Sequence, residues 1–573
     1  MEIIDITITI AGEAGQGLQT IGQLLSKAFS RKGLNVFANQ VLQSRIRGGH
    51  NYFQVRVSYE KVFAPAGATD ILIAFDKESA CHIQELAQNA ITIFDSTITT
   101  LEVTQGLRLD VPLEKIAKEN GGNKLMANTV AVAAVLGLLE YDITVLFDLL
   151  RESFSDKSKE VAEVNIKVAQ AGYNATYRKI QGNKLPALGD LHGNKKMLIG
   201  GSEAVALGAL AAGCKFISAY PMSPSTGIMT YLASKDKEFG IVVEQSEDEI
   251  ASINIALGAS YAGIRAMTAS SGGGFALMVE GLSLSGMTET PLVIVDAQRP
   301  GPATGLPTRT AQEDLEYVIF TGHGEFPRAV LAPRTIEDAF YLTVKAFNLV
   351  DKYQIPVIIL SDQFLADSLL TIDTFDTEQV KVERHLIGND ELQKLQGYKR
   401  YQITESGISP RALPGNPYGL VVVDSDEHDE EGHITEDVEH VRPEMVKKRN
   451  RKNIALVKEI SPPLRYGPEN AEDILVGWGS TYGALKEAVD ILNAKEEKAA
   501  LVHFNEVWPL PKEHFDFLEK AKFVCVVENN YRGQFAHLIT ATTGRIMENR
   551  INKFNGLAFT AQEIVREYKK LKK

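Results

Sequence analysis

Cysteine is scarce in this 573-residue chain: three occur, Cys81, Cys214 and Cys525, far apart and never in a C-x-x-C pair. Neither a disulfide framework nor a zinc or iron–sulfur site of local cysteines is encoded, so any cluster belongs to another chain. Long apolar runs are also missing. The longest, Thr129 to Leu139, stops at Glu140, well short of the ~20 residues a membrane helix needs. The start, Met1-Glu2-Ile3-Ile4-Asp5, is acidic where a secretory signal would be basic, and a cytoplasmic protein without a membrane partner is expected. Basic charge is in deficit, with 60 Lys plus Arg against 73 Asp plus Glu and a net charge of −13. That balance gives no electrostatic reason to expect nucleic acid and leaves a basic partner surface open. No repeat period or low-complexity tract stands out.

What the chain does have is an ordinary globular composition, 44% hydrophobic and 23% charged. At roughly 150 residues per domain, its length suggests about four domains. Ile4, Ile6, Ile8 and Ile10 alternate with polar residues, the period of a half-buried strand. The turn Gly12-Glu13-Ala14-Gly15-Gln16-Gly17 follows, then a helical spacing at Ile21, Leu24, Leu25 and Phe29. Strand-like runs at Phe53–Val57, Ile71–Phe75 and Ile91–Phe94 and a helix-like run at Met126–Leu139 complete an α/β domain over 1–180. A polar linker, 181–196, precedes a second α/β pattern over 197–365. Its strand candidates are Phe216–Ala219, Ile241–Val243, Arg265–Thr268, Leu292–Val295 and Pro356–Leu360. Residues 366–460 are charged and irregular, and the acidic run Asp424–Glu431 suits an exposed linker or partner-contacting segment. A last α/β unit, 461–573, carries strand candidates from Asp473, at Ala499–Phe504 and at Phe523–Val527.

The Gly12–Gly17 turn could cradle a phosphate at a helix N-terminus, or be a tight structural turn. Its order, G-x-x-G-x-G, is neither the dinucleotide fingerprint nor a P-loop, which disfavours a nicotinamide-dependent dehydrogenase. Arg47-Gly48-Gly49-His50 could bind an oxyanion or form a solvated turn.

The second domain is richer. Tyr220-Pro221-Met222-Ser223-Pro224-Ser225-Thr226 delivers hydroxyls at the carboxyl end of a strand, where α/β sheets bind ligands. Ser225 or Thr226 could equally cap the next helix. Glu247-Asp248-Glu249 opens a helix of small residues, Ala251, Ser252, Ala256, Gly258 and Ala259. Acids in a first turn ordinarily complement the helix dipole, yet the small residues imply close packing and one buried, functional carboxylate. Ser270-Ser271-Gly272-Gly273-Gly274 allows a tight backbone approach. In Gln298-Arg299-Pro300-Gly301 through Thr308, an arginine held between turns reads as a carboxylate clamp.

Together these motifs resemble the 2-oxoacid:ferredoxin oxidoreductases, specifically an α subunit with a fused N-terminal γ domain. The resemblance covers nearly the whole chain. It implies a γ-type domain over 1–180, a thiamine diphosphate-type pyrimidine-binding α/β domain over 197–365 and a transketolase C-terminal-like α/β domain over 461–573. Members of the family oxidatively decarboxylate a 2-oxoacid with thiamine diphosphate, pass electrons to ferredoxin and form an acyl-CoA from coenzyme A. The resemblance assigns the pyrimidine-contacting glutamate to Glu249, nine positions before Gly258, with Glu247 as alternate. It assigns the substrate carboxylate to Arg299 and a pocket hydroxyl to Thr308. Tyr220, Pro221 and Ser223 line the cofactor and substrate pocket, with Ser223 where the family usually has threonine. The Gly-Asp-Gly segment that holds diphosphate and magnesium is absent, as are cluster cysteines. That implies a separate β subunit carrying Mg2+ and a [4Fe–4S] cluster, in a dimer of αβ pairs. The resemblance favours 2-oxoglutarate as substrate, with branched-chain, aryl or broad-range 2-oxoacids next. The competing reading is a non-catalytic scaffold that docks ferredoxin.

Overall fold

The alternating isoleucines form the strand Asp5–Ala14, which is buried on both faces from Ile6 to Gly12 rather than on one. Of its buried threonines, Thr9 has a polar side-chain partner, with Oγ1 2.8 Å from Thr69 Oγ1, and the Thr7 backbone N–H donates to Asp70 at 2.8 Å. The computed structural model describes residues 4–44, 48–154, 159–177, 179, 185–188, 196–395 and 397–573, which divide into two compact units.

The first unit holds an eight-stranded sheet in the order Leu107–Asp110, Leu86–Phe94, Thr69–Ala74, Asp5–Ala14, Gly48–Ser58, Asn35–Val41, Leu369–Ile372, Met197–Gly200. The first four strands run parallel, and the pairings beyond Asp5–Ala14 are antiparallel. Met197–Gly200, expected to begin the second domain, pairs instead with Leu369–Ile372 in this sheet. The Ala127–Leu138 helix is buried on nearly every side. It meets the Lys159–Thr176 helix at two glycines, where a Cβ on Gly172 would stand 2.8 Å from Val130 O and one on Gly137 2.5 Å from Tyr173 O. Side chains larger than hydrogen would push these helices apart.

The second unit contains a seven-stranded sheet in the order Glu506–Trp508, Ala329–Leu331, Pro356–Asp362, Leu292–Gln298, Ala266–Ser270, Phe216–Ala219, Val242–Gln245. All of its pairs are parallel except the first. Leu292–Gln298 and Pro356–Asp362 are buried along their whole length, as central strands of a sheet covered on both faces are. A five-stranded sheet, Leu464–Tyr466, Ala499–Phe504, Asp473–Trp478, Phe523–Glu528, Asn549–Asn552, shares the unit's apolar core, with Trp478, Phe504 and Phe535 packed into it.

The 366–460 segment departs from the exposed linker expected of it. Arg400, Tyr401, Arg411, His428, Lys448 and Lys452 are all buried. Asp351 accepts from Arg265 at 2.9 Å and from Arg384 and Arg411 at 3.1 Å, and Glu289 pairs with Lys448 at 2.5 Å and with Lys452. Within the acidic run, Glu427 is held by Arg442 and by both Nη groups of Arg449 at 3.0 Å. The charges that suggested solvent are neutralised by partners distant in sequence. The 181–196 linker falls largely outside the described residues.

Candidate active site

Leu292–Gln298, Ala266–Ser270, Phe216–Ala219 and Val242–Gln245 are neighbours in one parallel run, so their carboxyl ends share an edge. The loops singled out in the sequence leave from that edge, the ligand side of an open α/β sheet.

After Val242–Gln245 the chain turns through Ser246, whose hydroxyl meets that of Ser252, into the helix Glu249–Tyr261. The three neighbouring acids then separate by role. Glu247 is exposed, whereas Asp248 is the helix N-cap, accepting the Ala251 N–H at 2.7 Å. Glu249 is 3% exposed, and among the described residues its Oε1 has no hydrogen-bond partner. Leaving a buried polar atom unpaired costs about 1–3 kcal/mol, so this oxygen fits a heterocycle nitrogen supplied by a ligand. Close packing is seen at a glycine of the neighbouring helix, where a Cβ on Gly281 would stand 2.6 Å from Ile253, but not at Gly258, which is exposed with no described atom near a Cβ position.

The Ser270–Gly274 turn lies against the same carboxyl. A Cβ on Gly274 would overlap Ser270 Oγ and stand 2.5 Å from Glu249 Oε1. Gly274→Ala is therefore expected to displace Glu249, lowering turnover at least ~10-fold and stability by about 1–3 kcal/mol. Parallel assay and thermal melting check this, and a variant as active as the parent would contradict it.

Arg299 and Ser223, 76 positions apart, are joined directly, with Arg299 Nη1 donating to Ser223 O at 2.7 Å. Burial draws the guanidinium below the ordinary arginine value, and Asp314 opposes the shift. The Ser223 side chain is exposed, Pro221 is half-buried and Tyr220 is 39% exposed on the same loop. Ser225 sits at the N-cap of Thr226–Ser234, but its hydroxyl donates to Met222 O at 2.8 Å and makes no cap bond, so that part of the capping expectation fails. Thr308 is half-buried on the loop after Arg299, between Leu306, whose N–H donates to Pro300 O at 3.0 Å, and the buried Thr310.

Two carboxyls escaped the sequence reading. Asp296 is fully buried in the strand before Arg299, with neither oxygen partnered among the described residues. Asp314 N–H donates to Gln298 Oε1 at 3.0 Å, and its own carboxyl packs against Gly272. An acid inside Ile294-Val295-Asp296-Ala297 was the available signal. Burial, reinforced by Asp314, pushes Asp296 well up, and burial together with Glu313 pushes Asp314 up to about 7 against the opposing Arg299. A carboxyl raised in the folded state contributes stability that is complete below its unfolded value, near 4, and is lost as pH rises through about 7. Asp314→Asn should thus gain stability relative to the parent between about pH 5 and pH 8. Urea midpoints at both pH values measure this, and a pH-independent difference would argue against it.

In the first unit, Gly12 lies within the strand, paired with Asn51, so only the end of Gly12–Gly17 is a turn. Gln16 Oε1 already accepts the Glu13 N–H at 2.7 Å, and a Cβ on Gly17 would overlap Asn128. These contacts favour the structural turn over an anion cradle. Arg47 lies outside the described residues.

Three family models match the chain. One described as pyruvate flavodoxin/ferredoxin oxidoreductase, thiamine diphosphate-binding, matches residues 207–448. Pyruvate ferredoxin/flavodoxin oxidoreductase matches 7–175, and pyruvate:ferredoxin oxidoreductase core domain II matches 471–564. A parallel sheet presenting a secluded glutamate within a thiamine diphosphate-binding region defines the class, a subunit of a thiamine-dependent oxidoreductase. The α subunit of a 2-oxoacid:ferredoxin oxidoreductase from Sulfolobus sp is 33% identical over 97% of this chain and 95% of its own. A Mycobacterium tuberculosis 2-oxoglutarate oxidoreductase subunit KorA is 29% identical over 98% and 91%. The structure of 2-oxoglutarate:ferredoxin oxidoreductase from Magnetococcus marinus, with 2-oxoglutarate, coenzyme A and succinyl-CoA bound, superposes with a TM-score of 0.93 at 33% identity, covering 99% of both chains. This chain belongs to the 2-oxoacid:ferredoxin oxidoreductase family, as an α subunit. Among the described residues, no helix is long and apolar enough to cross a membrane.

Proposed function

We propose that the chain supplies the pyrimidine-side half of a thiamine diphosphate site and the 2-oxoacid pocket, and that 2-oxoglutarate is its substrate. The observation that carries this reading is the buried Glu249 carboxyl with an unpartnered oxygen beside Gly274. Bound thiamine diphosphate supplies the electron sink that lets a 2-oxoacid lose carbon dioxide. Glu249 holds or moves a proton at the aminopyrimidine nitrogen, shielded from water by the sheet edge and the glycine turn. Arg299, with one N–H committed to Ser223 O, offers the rest of its planar fork to the substrate carboxylate. Ser223 and Thr308 add hydroxyls, and Tyr220 and Pro221 line the wall.

Diphosphate, Mg2+ and a [4Fe–4S] cluster belong in this reading to a β subunit, because this chain has neither Gly-Asp-Gly nor clustered cysteines. Tyr220, Ile250, Leu277 and Leu306 are exposed apolar residues on or beside the site loops, a surface that suits a covering subunit. A [4Fe–4S] cluster on that β subunit would supply the electron route to ferredoxin, with coenzyme A as acyl acceptor, in a dimer of αβ pairs. The γ-type, pyrimidine-binding and transketolase C-terminal-like domains are assigned to 1–180, 201–365 and 461–573, the second starting after Met197–Gly200 because that strand lies in the first unit's sheet.

The Magnetococcus marinus relative, with its bound 2-oxoglutarate, supports the substrate choice. Ser223 lacks the usual threonine methyl and so supports the second reading, a roomier pocket for branched-chain or aryl 2-oxoacids. Viologen reduction by the co-purified complex, across a panel of 2-oxoacids with coenzyme A, separates them. The expected result is the highest kcat/KM with 2-oxoglutarate, and a larger value for a branched-chain acid would overturn the choice. Arg299→Lys keeps the charge but loses the fork, so KM for the 2-oxoacid should rise ~10–100-fold, the worth of a charge-assisted hydrogen bond. An unchanged KM would remove Arg299 from the pocket.

A further inference from the structure

The strand Gly48–Ser58 and the 3-10 segment Lys77–Glu85 of the first unit bring two imidazoles and a thiol together. His50 Nε2 lies 2.8 Å from His82 Nε2 and 3.3 Å from Cys81 Sγ, and the three donor atoms are all within 4.8 Å of one another. We propose that His50, Cys81 and His82 bind a borderline-soft divalent cation, zinc foremost, with solvent in the fourth position.

The donor set suits this ion, since imidazole and thiolate are its ordinary ligands. Zinc bonds of about 2.1 Å to nitrogen and 2.3 Å to sulfur, arranged tetrahedrally, need N···N and N···S separations of roughly 3.4 and 3.6 Å. The His50 Nε2···His82 Nε2 spacing of 2.8 Å is about 0.6 Å short of this, the His50 Nε2···Cys81 Sγ spacing of 3.3 Å is about 0.3 Å short, and the third pair lies within 4.8 Å, so the rings and thiol must rotate to admit the ion. The His82 ring is already oriented. His82 Nδ1 donates to Glu85 Oε2 at 2.8 Å, which leaves His82 Nε2 with a free lone pair, the carboxylate–histidine arrangement that supports bound metals. Tyr52 meets the His82 ring edge-on at 4.8 Å, and Asp76 caps the 3-10 segment through the Ser79 N–H at 2.9 Å. His82 is buried while Cys81 is exposed, which provides an entry path.

Local charge also favours a cation. Asp76, Glu78 and Glu85 all act on both His50 and Cys81. Without metal, one Nε2 donates its proton to the other and the thiol remains protonated. On binding, His50 moves its proton to Nδ1, which is buried without a partner among the described residues, and the thiol releases one proton to solvent. No electron is transferred.

The full chain, stripped with chelator, is titrated with Co2+ and then with Zn2+. The expected result is one Co2+ per chain at micromolar concentration, with a thiolate-to-cobalt charge-transfer band, tetrahedral visible bands and displacement by Zn2+. Cys81→Ser should abolish the charge-transfer band, and Glu85→Gln should weaken binding ~10–100-fold while retaining it. Circular dichroism shows that each variant is folded. No stoichiometric uptake by the parent, or the same spectrum and affinity in Cys81→Ser and His82→Ala, overturns the proposal. Activity of the assembled enzyme is not the readout.

Discussion

Replacing Glu249 by glutamine in the assembled enzyme should lower 2-oxoacid turnover about 10²–10⁴-fold, the usual contribution of a positioned proton-transfer group. Subunit assembly and thermal stability should change little, because glutamine keeps the side chain's volume and its remaining polar atoms in the same pocket. The expectation rests on how completely the local fold commits this residue. Asp248 takes over the capping of the helix, Glu247 stands in solvent, and Glu249 alone is buried with an unpartnered oxygen. Glu247→Gln, two residues before it, should be nearly silent. A scaffold subunit would tolerate both changes equally, so a Glu249→Gln complex with parental turnover would favour the scaffold.

The largest stability effect is expected away from the chemistry. Glu289 ends the helix Val279–Thr288 with φ 48°, a left-handed conformation uncommon for a non-glycine residue, and is 1% exposed. Burial would raise its carboxyl, but Lys448, Lys452 and Arg400 together hold it below the ordinary carboxylate range. Burial draws the Lys448 amine down to about 7. Glu289→Ala leaves two buried ammonium groups without their shared partner, which should cost about 3–5 kcal/mol. Glu289 raises the Lys448 amine, so its removal should draw that amine further below about 7, and part of the loss should be recovered as pH rises toward 7 with no further recovery above it. Urea unfolding of the full chain at pH 5, pH 7 and pH 9 measures both effects. A loss under about 1 kcal/mol would mean that the pairs contribute little.

These two residues also mark what could and could not be read in advance. Glu249 was legible because its signal is local, an acid at the start of a small-residue helix just after a strand. The loops carrying Ser223 and Arg299 were legible for the same reason: proline, glycine and hydroxyls punctuate the ends of apolar runs, and the sheet order brings those ends to one edge. Glu289 drew no functional reading from the sequence, since its ion-pair partners Lys448 and Lys452 lie 159 or more positions downstream and periodicity carries no information about them. The same gap made 366–460 look like solvent-exposed linker when its arginines and lysines are internal. Asp296 was missed because the strand was read as ending at Val295, whereas it runs on to Gln298 and buries the acid that follows the apolar run. Met197–Gly200 was placed in the wrong sheet, as strand identity is local but strand pairing is not.

Glu249 is proposed to act on the cofactor rather than on the fold. The most direct test is the rate at which the thiazolium C2 proton of bound thiamine diphosphate exchanges with deuterated solvent, compared between the parent complex and Glu249→Gln. Exchange should be slower by ~10²-fold or more in the variant, with cofactor stoichiometry unchanged. Equal exchange rates in the two complexes would contradict it.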